Sequence, residues 1–424
     1  MKLLCVALTA LALALPAGAQ EKPVVLCAST VLDGRGHVVK GVNIVVQNGR
    51  ISTILNKGVD TCGGAEHAVH GTPATVYDLR GLTVLPGWID AHVHITYHFG
   101  PNGRAMDKDE TPQQAAYAAA ANAYATLLAG FTTVQSIGSP DDKALRDAIN
   151  AGSEASGLPG PRILTSLEPF FSTKPTPEEL RAAVRQRKAD GADLIKIFAS
   201  KSIREGGAQT MSDEQLAALC GEAKAQGLRT LVHAHSPQSI EAAVRAGCTE
   251  IEHGVFATDE DLRMMAERGV YFDPQAGLIF HNYFDNKARF LGIENYTEEG
   301  FAAMEKAVPL AIDVVRRASQ TPNLKMVFGT DAVAGAHGRN AEEFLYRVRD
   351  AGQSAMDAMV STNSLAAQAV GLADRIGAIA PGLDADIIAL DGNPLEDITA
   401  VRRVVFVMKG GKIYKNTASS QPPK

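Results

Sequence analysis

The feature that most constrains the fold is an alternation of short apolar runs with helical patterns between residues 84 and 331. Strands that alternate with helices of this length are typical of βαβ units, in which consecutive strands run parallel. The eight predicted strands are Val84–Ile95, Phe131–Ile137, Arg162–Leu167, Asp193–Ala199, Arg229–His235, Glu250–His253, Val270–Asp273 and Lys325–Asp331. Eight such units predict an α/β fold, a TIM-like (β/α)8 barrel whose functional residues end the strands.

Capping signals mark the helices between these strands. Thr111, Thr176 and Ser212 are each followed three residues later by Gln or Glu, which is the capping-box arrangement. Proline follows Thr111 and Thr176 directly, at the helical position that favours it. Glycines that close a helix just before the next strand are Gly130, Gly191, Gly227, Gly247 and Gly269.

The two ends of the chain have a different pattern. Residues 20–84 and 382–416 contain short β-branched runs separated by Gly, Asn and Asp turns. We therefore expect a small β-sandwich domain built from both chain ends. The barrel domain then occupies residues 85–381, and a loose polar tail follows at 417–424.

The first residues form a targeting segment. A basic start at Lys2 precedes an apolar run over residues 3–15, and Ala17-Gly18-Ala19 has the small-residue spacing of a cleavage site. Residues 1–19 are therefore predicted to be a secretory signal peptide, most simply one that leads to the periplasm. The alternative is a membrane anchor, but the run is too short to span a bilayer comfortably.

Cleavage would leave four cysteines, and export favours oxidising conditions. Cys27 and Cys62 both fall in the N-terminal β region, so they could form a disulfide or stay reduced. Cys220 and Cys248 lie in helical patterns and are expected to be packed thiols. Four cysteines in a chain of this length do not make a disulfide framework, and no Cys-x-x-Cys zinc motif is present.

Composition narrows the class of partner. The chain is 46% apolar and 21% charged, as in an ordinary soluble globular protein. Its formal charge is −6 and it has no basic block, so the sequence gives no reason to expect nucleic-acid binding. A small molecule is the expected partner, no membrane span is predicted after the targeting segment, and homo-oligomerisation is not decided by the sequence.

Histidines and charged residues mark the ends of the predicted strands. His92 and His94 alternate at the end of the first strand, so both imidazoles face the same way. Such a pair is half of a transition-metal site, although a lone pair could equally be structural. The residues that other strands add are Lys196, His233, His235, His253 and Asp331. Surface histidines would not collect at strand ends in this way, so the set predicts a metal centre.

Lys196 lies within the fourth strand, where burial would depress the pKa of its amine. A neutral amine reacts with carbon dioxide to give a carbamate, an anionic oxygen ligand that can bridge two metals. The alternative is a lysine paired with a buried carboxylate.

The ordered motifs resemble those of the amidohydrolase superfamily, in particular secreted binuclear-metal dipeptidases and carboxypeptidases of the Xaa-Pro dipeptidase and ochratoxinase type. The matching segments are Pro86–His94, Leu128–Val134, Ile195–Ile197, Val232–His235, Ile251–Gly254, Gly329–Asp331 and Pro381–Asp386. The resemblance implies two divalent metals, with zinc the expected ion although manganese or cobalt would also suit these ligands. It implies His92, His94 and Asp331 at the first metal, His233 and His253 at the second, and Lys196 as a bridging carbamate. His235 would then polarise the substrate carbonyl or, alternatively, only orient its neighbours.

One position separates this chain from relatives with a single metal, such as imidazolonepropionases. They carry Glu three residues after the fifth-strand histidine, where this chain has Ser236. Ser236 and Lys196 therefore favour a two-metal amide hydrolase, which uses a hydroxide that bridges the metals and Asp331 as the proton carrier. Cyclic-amide hydrolase or deaminase, lactonase, and non-catalytic binding protein stay open as alternatives.

The resemblance favours dipeptides or N-acyl amino acids with a free C-terminal carboxylate, possibly including ochratoxin-type amides, but does not fix the leaving residue. Candidate carboxylate contacts in the loops above the barrel are Lys201, Arg204, His281, Tyr283, His337 and Arg339.

Overall fold

The computed structural model describes residues 22–56, 68–69, 72–106, 109–150 and 157–418. The predicted signal peptide, Cys62 and the end of the polar tail lie outside these residues. The first seven strands are β1 Val24–Leu32, β2 Val38–Gln47, β3 Arg50–Asn56, β4 Ala68–Val69, β5 Thr72–Pro73, β6 Thr75–Asp78 and β7 Thr83–Pro86.

Eight parallel strands follow, as the alternating pattern predicts. They are β8 Trp88–Val93, β9 Phe131–Ser136, β10 Arg162–Thr165, β11 Leu194–Phe198, β12 Arg229–Ala234, β13 Glu250–His253, β14 Tyr271–Asp273 and β15 Lys325–Met326. β8, β9 and β10 form one sheet, and β11 to β15 form another in chain order. Backbone hydrogen bonds also join the two sheets: Asp193 donates to Thr165 at 2.8 Å, and Ala91 donates to Phe328 at 2.9 Å.

Helices connect these strands and cover them. They are α1 Pro112–Leu128, α2 Asp142–Asn150, α3 Pro177–Asp190, α4 Asp213–Ala225, α5 Pro237–Arg245, α6 Asp259–Arg268, α7 Leu278–Asp285, α8 Lys287–Phe290, α9 Glu298–Gln320, α10 Glu343–Leu345, α11 Ala355–Thr362 and α12 Ser364–Ala369. All three predicted capping boxes are present. The largest buried apolar cluster takes Ile195, Val232 and Ile251 from the strands and packs them against Leu216 and Ile240 of the helices. None of the described helices is long and apolar enough to span a membrane.

Three strands at the end of the chain return to the N-terminal sheet. They are β16 Ile387–Leu390, β17 Val404–Lys409 and β18 Lys412–Asn416. The sheet has the order β18-β17-β16-β7-β1-β2-β3, with β6 also paired to β1. Strands from both chain ends therefore share one sheet, and β7 pairs with β16 in its middle.

The first predicted barrel strand, Val84–Ile95, is wrong as a single element. Residues up to Pro86 belong to β7 in the sheet of the chain ends, and β8 begins at Trp88. Gly87 separates them, and its backbone N–H donates to the Asp386 carbonyl at 2.8 Å. A Cβ at Gly87 would lie 2.2 Å from the Thr132 hydroxyl, so the change of sheet requires glycine here.

A group of paired charges joins the two parts of the chain. The guanidinium of Arg162, at the start of β10, donates to Asp386 at 2.9 Å and to Asp384 at 3.0 Å. Arg375 adds a second guanidinium, 2.8 Å from Asp384. We call Arg162, Asp384, Asp386 and Arg375 the clamp. Its two carboxylates come from the Pro381–Asp386 motif, which therefore serves the contact between the sheets.

The prediction that Cys220 and Cys248 are free packed thiols is wrong, because the two form a disulfide. Cys220 lies in α4, and Cys248 lies between α5 and β13. The packing of neighbouring βα units brings their Cα atoms to 5.1 Å, a normal distance for a disulfide. The open question of a Cys27–Cys62 bridge involves Cys62, which is outside the described residues.

Candidate metal centre

The first cluster of the site lies at the carboxyl end of β8. His92 and His94 are buried, and the two Nε2 atoms lie 3.3 Å and 3.1 Å from Oδ1 of Asp331. Strand geometry brings the histidines to one face, and Asp331 reaches them from the segment that follows β15. These three residues form a group whose ligand atoms are close enough together to hold one cation.

Asp331 is held as an anion in this position. Burial alone would raise the pKa of its carboxyl, but His92 and His94 outweigh burial and bring the pKa well below its usual range. Its backbone is left-handed, with φ of +53°, a conformation that costs a non-glycine residue about 1–3 kcal/mol. His253 shares this feature with φ of +66°. Strain at these two positions is consistent with a functional role for both.

The second cluster collects three imidazoles at the ends of β12 and β13. The ring centroids of His233 and His253 are 4.6 Å apart, and those of His235 and His253 are 5.0 Å apart in a stacked arrangement. The His92 ring lies 5.2 Å from that of His253, so the two clusters adjoin. Burial lowers the pKa of His235 to about 3 and brings the pKa of His233 and of His253 well below its usual value, so these three rings are neutral and able to act as ligands.

Hydrogen bonds to the rings indicate which nitrogen of each is free. Nδ1 of His92 lies 2.5 Å from the buried carboxylate of Glu252, so its Nε2 is available. Nδ1 of His253 lies 2.6 Å from Oε1 of Gln275, which again leaves Nε2. His233 is reversed: its Nε2 lies 3.3 Å from the Lys201 carbonyl, which leaves Nδ1.

Lys196 is brought to the same place by β11, but it does not pair as the alternative interpretation expected. Its Nζ is buried and has no hydrogen-bond partner among the residues described. The ring of Phe198 lies 5.3 Å away. Burial lowers the pKa of the Lys196 amine, although the nearby Glu252 and Asp331 carboxylates raise it. A buried, unpaired ammonium is costly, so the site favours a neutral or modified amine.

The donor set fits divalent cations. Imidazole nitrogens and a carboxylate oxygen are the ligands of zinc and similar ions. In His92, His233 and His253, a hydrogen-bond partner holds the proton on one ring nitrogen and leaves the other nitrogen free, whereas His94 has its Nε2 next to Asp331. Three buried polar atoms have no hydrogen-bond partner in the described part of the chain: Lys196 Nζ, His94 Nδ1 and His235 Nδ1. Buried polar groups are normally paired within a protein, so these three atoms have no role in holding the fold together. A second group, His92, Glu252 and Asp273, also has clustered ligand atoms.

These residues form the floor of a cavity of about 900 Å³. Arg204 and Tyr283, two of the predicted substrate contacts, line it together with Lys201. The Arg204 guanidinium lies 4.0 Å above the Tyr296 ring, and its Nε donates to Asn295 at 2.8 Å. Within the described ranges, no carboxylate lies within ion-pair distance of Arg204, so the cavity contains a half-buried cation able to bind an anion.

His337 does not line the cavity. Its Nε2 lies 3.1 Å from the carbonyl of Tyr97, because the loop after β15 turns the side chain behind His94. Of the other loop residues considered from the sequence, His281 stacks on Tyr346 at 4.8 Å and Arg339 pairs with Glu342 at 3.0 Å. Neither is free to face a substrate in the cavity.

Four residues of the site were not anticipated. Glu252 and Gln275 orient the histidines, whereas Tyr296 and Asn295 hold Arg204. A polar residue buried directly before a histidine at a strand end is a signal that could have identified Glu252. The other three lie in loops, where no sequence period places them.

The comparisons with known proteins agree with this geometry. The profile of the amidohydrolase family matches residues 83–414. A solved structure of a Xaa-Pro dipeptidase with methionine bound in its active site is 31% identical, with a TM-score of 0.80, and the match covers 93% of this chain and 100% of that one.

Several curated relatives match by sequence, and they include an ochratoxinase and an imidazolonepropionase. The ochratoxinase of Aspergillus niger is 30% identical over 251 residues, which cover 56% of this chain and 49% of the relative. The match thus spans about half the length of that relative. The imidazolonepropionase of Geobacillus kaustophilus is 23% identical over 422 residues, covering 89% of this chain and 91% of the relative.

Proposed function

The chain belongs to the amidohydrolase family, and from this premise we propose that it is a metal-dependent amide hydrolase acting on dipeptides or N-acyl amino acids with a free C-terminal carboxylate. The main support is Lys196, whose Nζ is buried beside both histidine clusters and has no partner in the described part of the chain. Burial lowers the pKa of His94 and of His233, and the Lys196 amine lies close enough to both rings to influence it. One amine thus acts on ligands of both clusters, as a bridging group should.

We propose that the two parallel sheets form one closed (β/α)8 barrel. The hydrogen bonds between β10 and β11 and between β8 and the segment after β15 support closure. The sheet of the chain ends would fold over as a β-sandwich. A shared cluster supports this, because Ile44 and Ile51 from one arm pack with Phe406 and Met408 from the other.

The residues are assigned to two cations. His92, His94 and Asp331 would hold the first, His233 and His253 the second, and Lys196, as a carbamate, would bridge them. Zinc is the expected ion. When bound, such ions lower the pKa of water and polarise a carbonyl.

The chain's own residues would move the protons and place the substrate. Asp331, an anion at neutral pH, accepts the proton of the attacking water and returns it to the leaving nitrogen. His235 is neutral, and a ring N–H can donate to the carbonyl oxygen as negative charge develops there. Arg204 binds the substrate carboxylate. Water and amide are thereby converted to a carboxylic acid and an amine.

The resemblance to imidazolonepropionase does not outweigh this assignment. Ser236 stands where those enzymes are expected to carry Glu, and here it is the N-cap of α5, accepting from the Ser239 N–H at 3.4 Å. The position therefore supports a helix rather than a proton transfer. Cyclic-amide and lactone hydrolysis are retained as outcomes of the test below.

We propose that the protein is exported, with residues 1–19 as its signal peptide. The Cys220–Cys248 disulfide supports an oxidising compartment, since disulfides persist mainly outside the cytosol. N-terminal sequencing of the protein recovered from the periplasm would test the cleavage. An N-terminus at Met1 in exported protein would contradict it.

The activity is tested by release of free amino acid from dipeptides and N-acyl amino acids, each compared with its C-terminal carboxamide. We expect chelator-sensitive release from the carboxylates and much less from the carboxamides. Arg204→Leu should raise KM for the carboxylates about 10–100-fold, because a charge-assisted contact is lost, and should leave KM for the carboxamides unchanged. Arg339→Leu serves as the control, because Arg339 is a loop cation that pairs with Glu342 and does not line the cavity.

Two results would contradict the proposal. No release from any amide, with two ions bound, would move the assignment to cyclic amides and lactones. Equal turnover of carboxylates and carboxamides, unaffected by Arg204→Leu, would remove the carboxylate requirement.

A further inference from the structure

The two histidine clusters differ in the groups that orient their rings. Behind His92 lies the carboxylate of Glu252, with its Oε2 2.5 Å from Nδ1 and both residues fully buried. Behind His253 lies a neutral amide, with Oε1 of Gln275 2.6 Å from Nδ1. The Gln275 amide cannot be reversed without loss, because its Nε2 donates to the Asp273 carbonyl at 2.9 Å.

The other ligands extend the contrast. In the first cluster, Asp331 adds a carboxylate directly beside His92 and His94. In the second, the partner of His233 is the Lys201 carbonyl, which is neutral. Asp273 is another buried carboxylate near these rings, and it is paired with Arg347 at 3.2 Å. Lys196 faces both clusters and does not distinguish them.

An anionic acceptor makes an imidazole a stronger donor to a cation than a neutral acceptor does, and it adds negative charge in a medium that screens little. We infer that the two metal sites are unequal: the His92–His94–Asp331 site binds its divalent ion more tightly, and Gln275 is a positioning residue that keeps the second ion exchangeable. This rests on the two-metal assignment under the proposed function. It adds which ion loads first and which residue sets the difference.

The experiment uses zinc alone and no substrate. Zinc-loaded protein is dialysed against increasing chelator, and the zinc retained per chain is measured by elemental analysis. We expect loss in two steps of one equivalent each, separated at least tenfold in chelator concentration. His233→Asn should remove the weak step and keep the tight one, whereas His94→Asn should remove the tight step.

Gln275→Glu gives the second site the same acceptor as the first. We expect the second ion to be retained about 10–100-fold better, so that the two steps merge, which is the usual range for a group behind a metal ligand. Glu252→Gln should also merge the two steps of zinc loss, because it weakens the first site. Gln215→Glu makes the same change in the capping box of α4, away from the site, and should leave both steps in place.

Circular dichroism checks folding, and Gln275→Glu keeps the inference testable if Glu252→Gln does not fold. One-step loss of two ions from the unaltered protein would overturn the inference, as would two separate steps that Gln275→Glu leaves unmoved. Both results would leave amide hydrolysis standing. Conversely, two-step loss without hydrolysis of any amide would contradict only the proposed activity, and a protein that binds no zinc would overturn both.

Discussion

Two regions of the molecule bury charge in opposite ways. In the clamp, the guanidinium of Arg162 meets two carboxylates within 3.0 Å. In the candidate metal centre, the amine of Lys196 is buried more deeply than Arg162, yet no described residue accepts a hydrogen bond from it. Both cations belong to strands of the parallel sheets, so the strand environment does not explain the difference. The comparison teaches that burial of a charge indicates stability when the charge is paired and function when it is left open.

The largest effect is expected from replacing Lys196, the buried group without a partner among the described residues. Lys196→Met should lower amide hydrolysis more than about 100-fold, since even groups behind a metal ligand cost about 10–100-fold. The same change removes a buried polar amine that has no partner among the described residues, so the melting temperature in chelator should stay the same or rise. Kinetics and calorimetry check the two halves.

The bridge itself can be tested with Lys196→Ala. The shorter side chain leaves room for a small carboxylic acid, and acetate or propionate should restore part of the activity. Unchanged zinc content and rate without any added acid would rule out the bridging role.

The next test replaces the paired cation of the clamp, Arg162, by methionine. Arg162→Met should lower the free energy of unfolding by about 3–5 kcal/mol, because it leaves Asp384 and Asp386 buried without their main partner. The activity per folded molecule should stay within about twofold. Urea unfolding with kinetics below the transition would measure both, and a loss of turnover at full folding would contradict the division between the regions.

A covalent pair extends the comparison. Replacing both Cys220 and Cys248 by serine should cost about 2–4 kcal/mol of unfolding free energy, the usual contribution of a disulfide. Because neither sulfur lies in the cavity, KM and kcat should not change. Thermal unfolding with and without a reductant provides the check, and the reductant should lower the melting temperature of the unaltered chain more than that of the serine variant.

Asp142 is intermediate between the clamp and Lys196, because its buried carboxylate is hydrogen-bonded to hydroxyls and not to a cation. Burial raises the pKa of Asp142 to about 6, although Ser136, Thr96 and Thr165 lower it. The folded protein then binds this proton more tightly than the unfolded chain does. The contribution of Asp142 to the free energy of unfolding is therefore greatest below about pH 4 and is lost as pH rises through 6. The loss reaches up to about 3 kcal/mol, since one pKa unit corresponds to about 1.4 kcal/mol.

Asp142→Asn should remove that part of the pH dependence. Unfolding in urea at pH 4.5 and 7.5 compares the variant with the unaltered chain. An equal change between the two pH values in both proteins would show that Asp142 does not carry it.

The sequence predicts the two histidine clusters better than it predicts the cavity. His92, His94, His233, His253 and Asp331 could be placed together because parallel strands end at one face, so position along the strand fixes position in space. The Lys196 amine could be assigned to the same place, but its lack of a partner required the structure. Arg204 could be named as a candidate, whereas Tyr296 and Asn295, which hold it, come from a loop with no period.

The errors have physical causes of the same kind. Val84–Ile95 reads as one strand because its apolar character is continuous, and only the close approach of Gly87 to Thr132 shows where the chain changes sheet. The Cys220–Cys248 disulfide depends on how two helical units pack, which a spacing of 28 residues does not encode. His337 was placed in the right loop, but the direction of a loop side chain is not set by strand geometry.

The pairing of β7 with β16 has a consequence for how the protein is made. β7 leads through Gly87 directly into the strand that carries His92, and it pairs with β1 on one side and with residues 387–390 on the other. A ribosome must therefore synthesise nearly the entire polypeptide before this strand finds its second partner. Contacts so distant in sequence form slowly, and the sheet of the chain ends should be among the last parts to assemble. If the chain is exported as we propose, a sheet that is completed only at the end of synthesis suits passage through a translocation channel before folding.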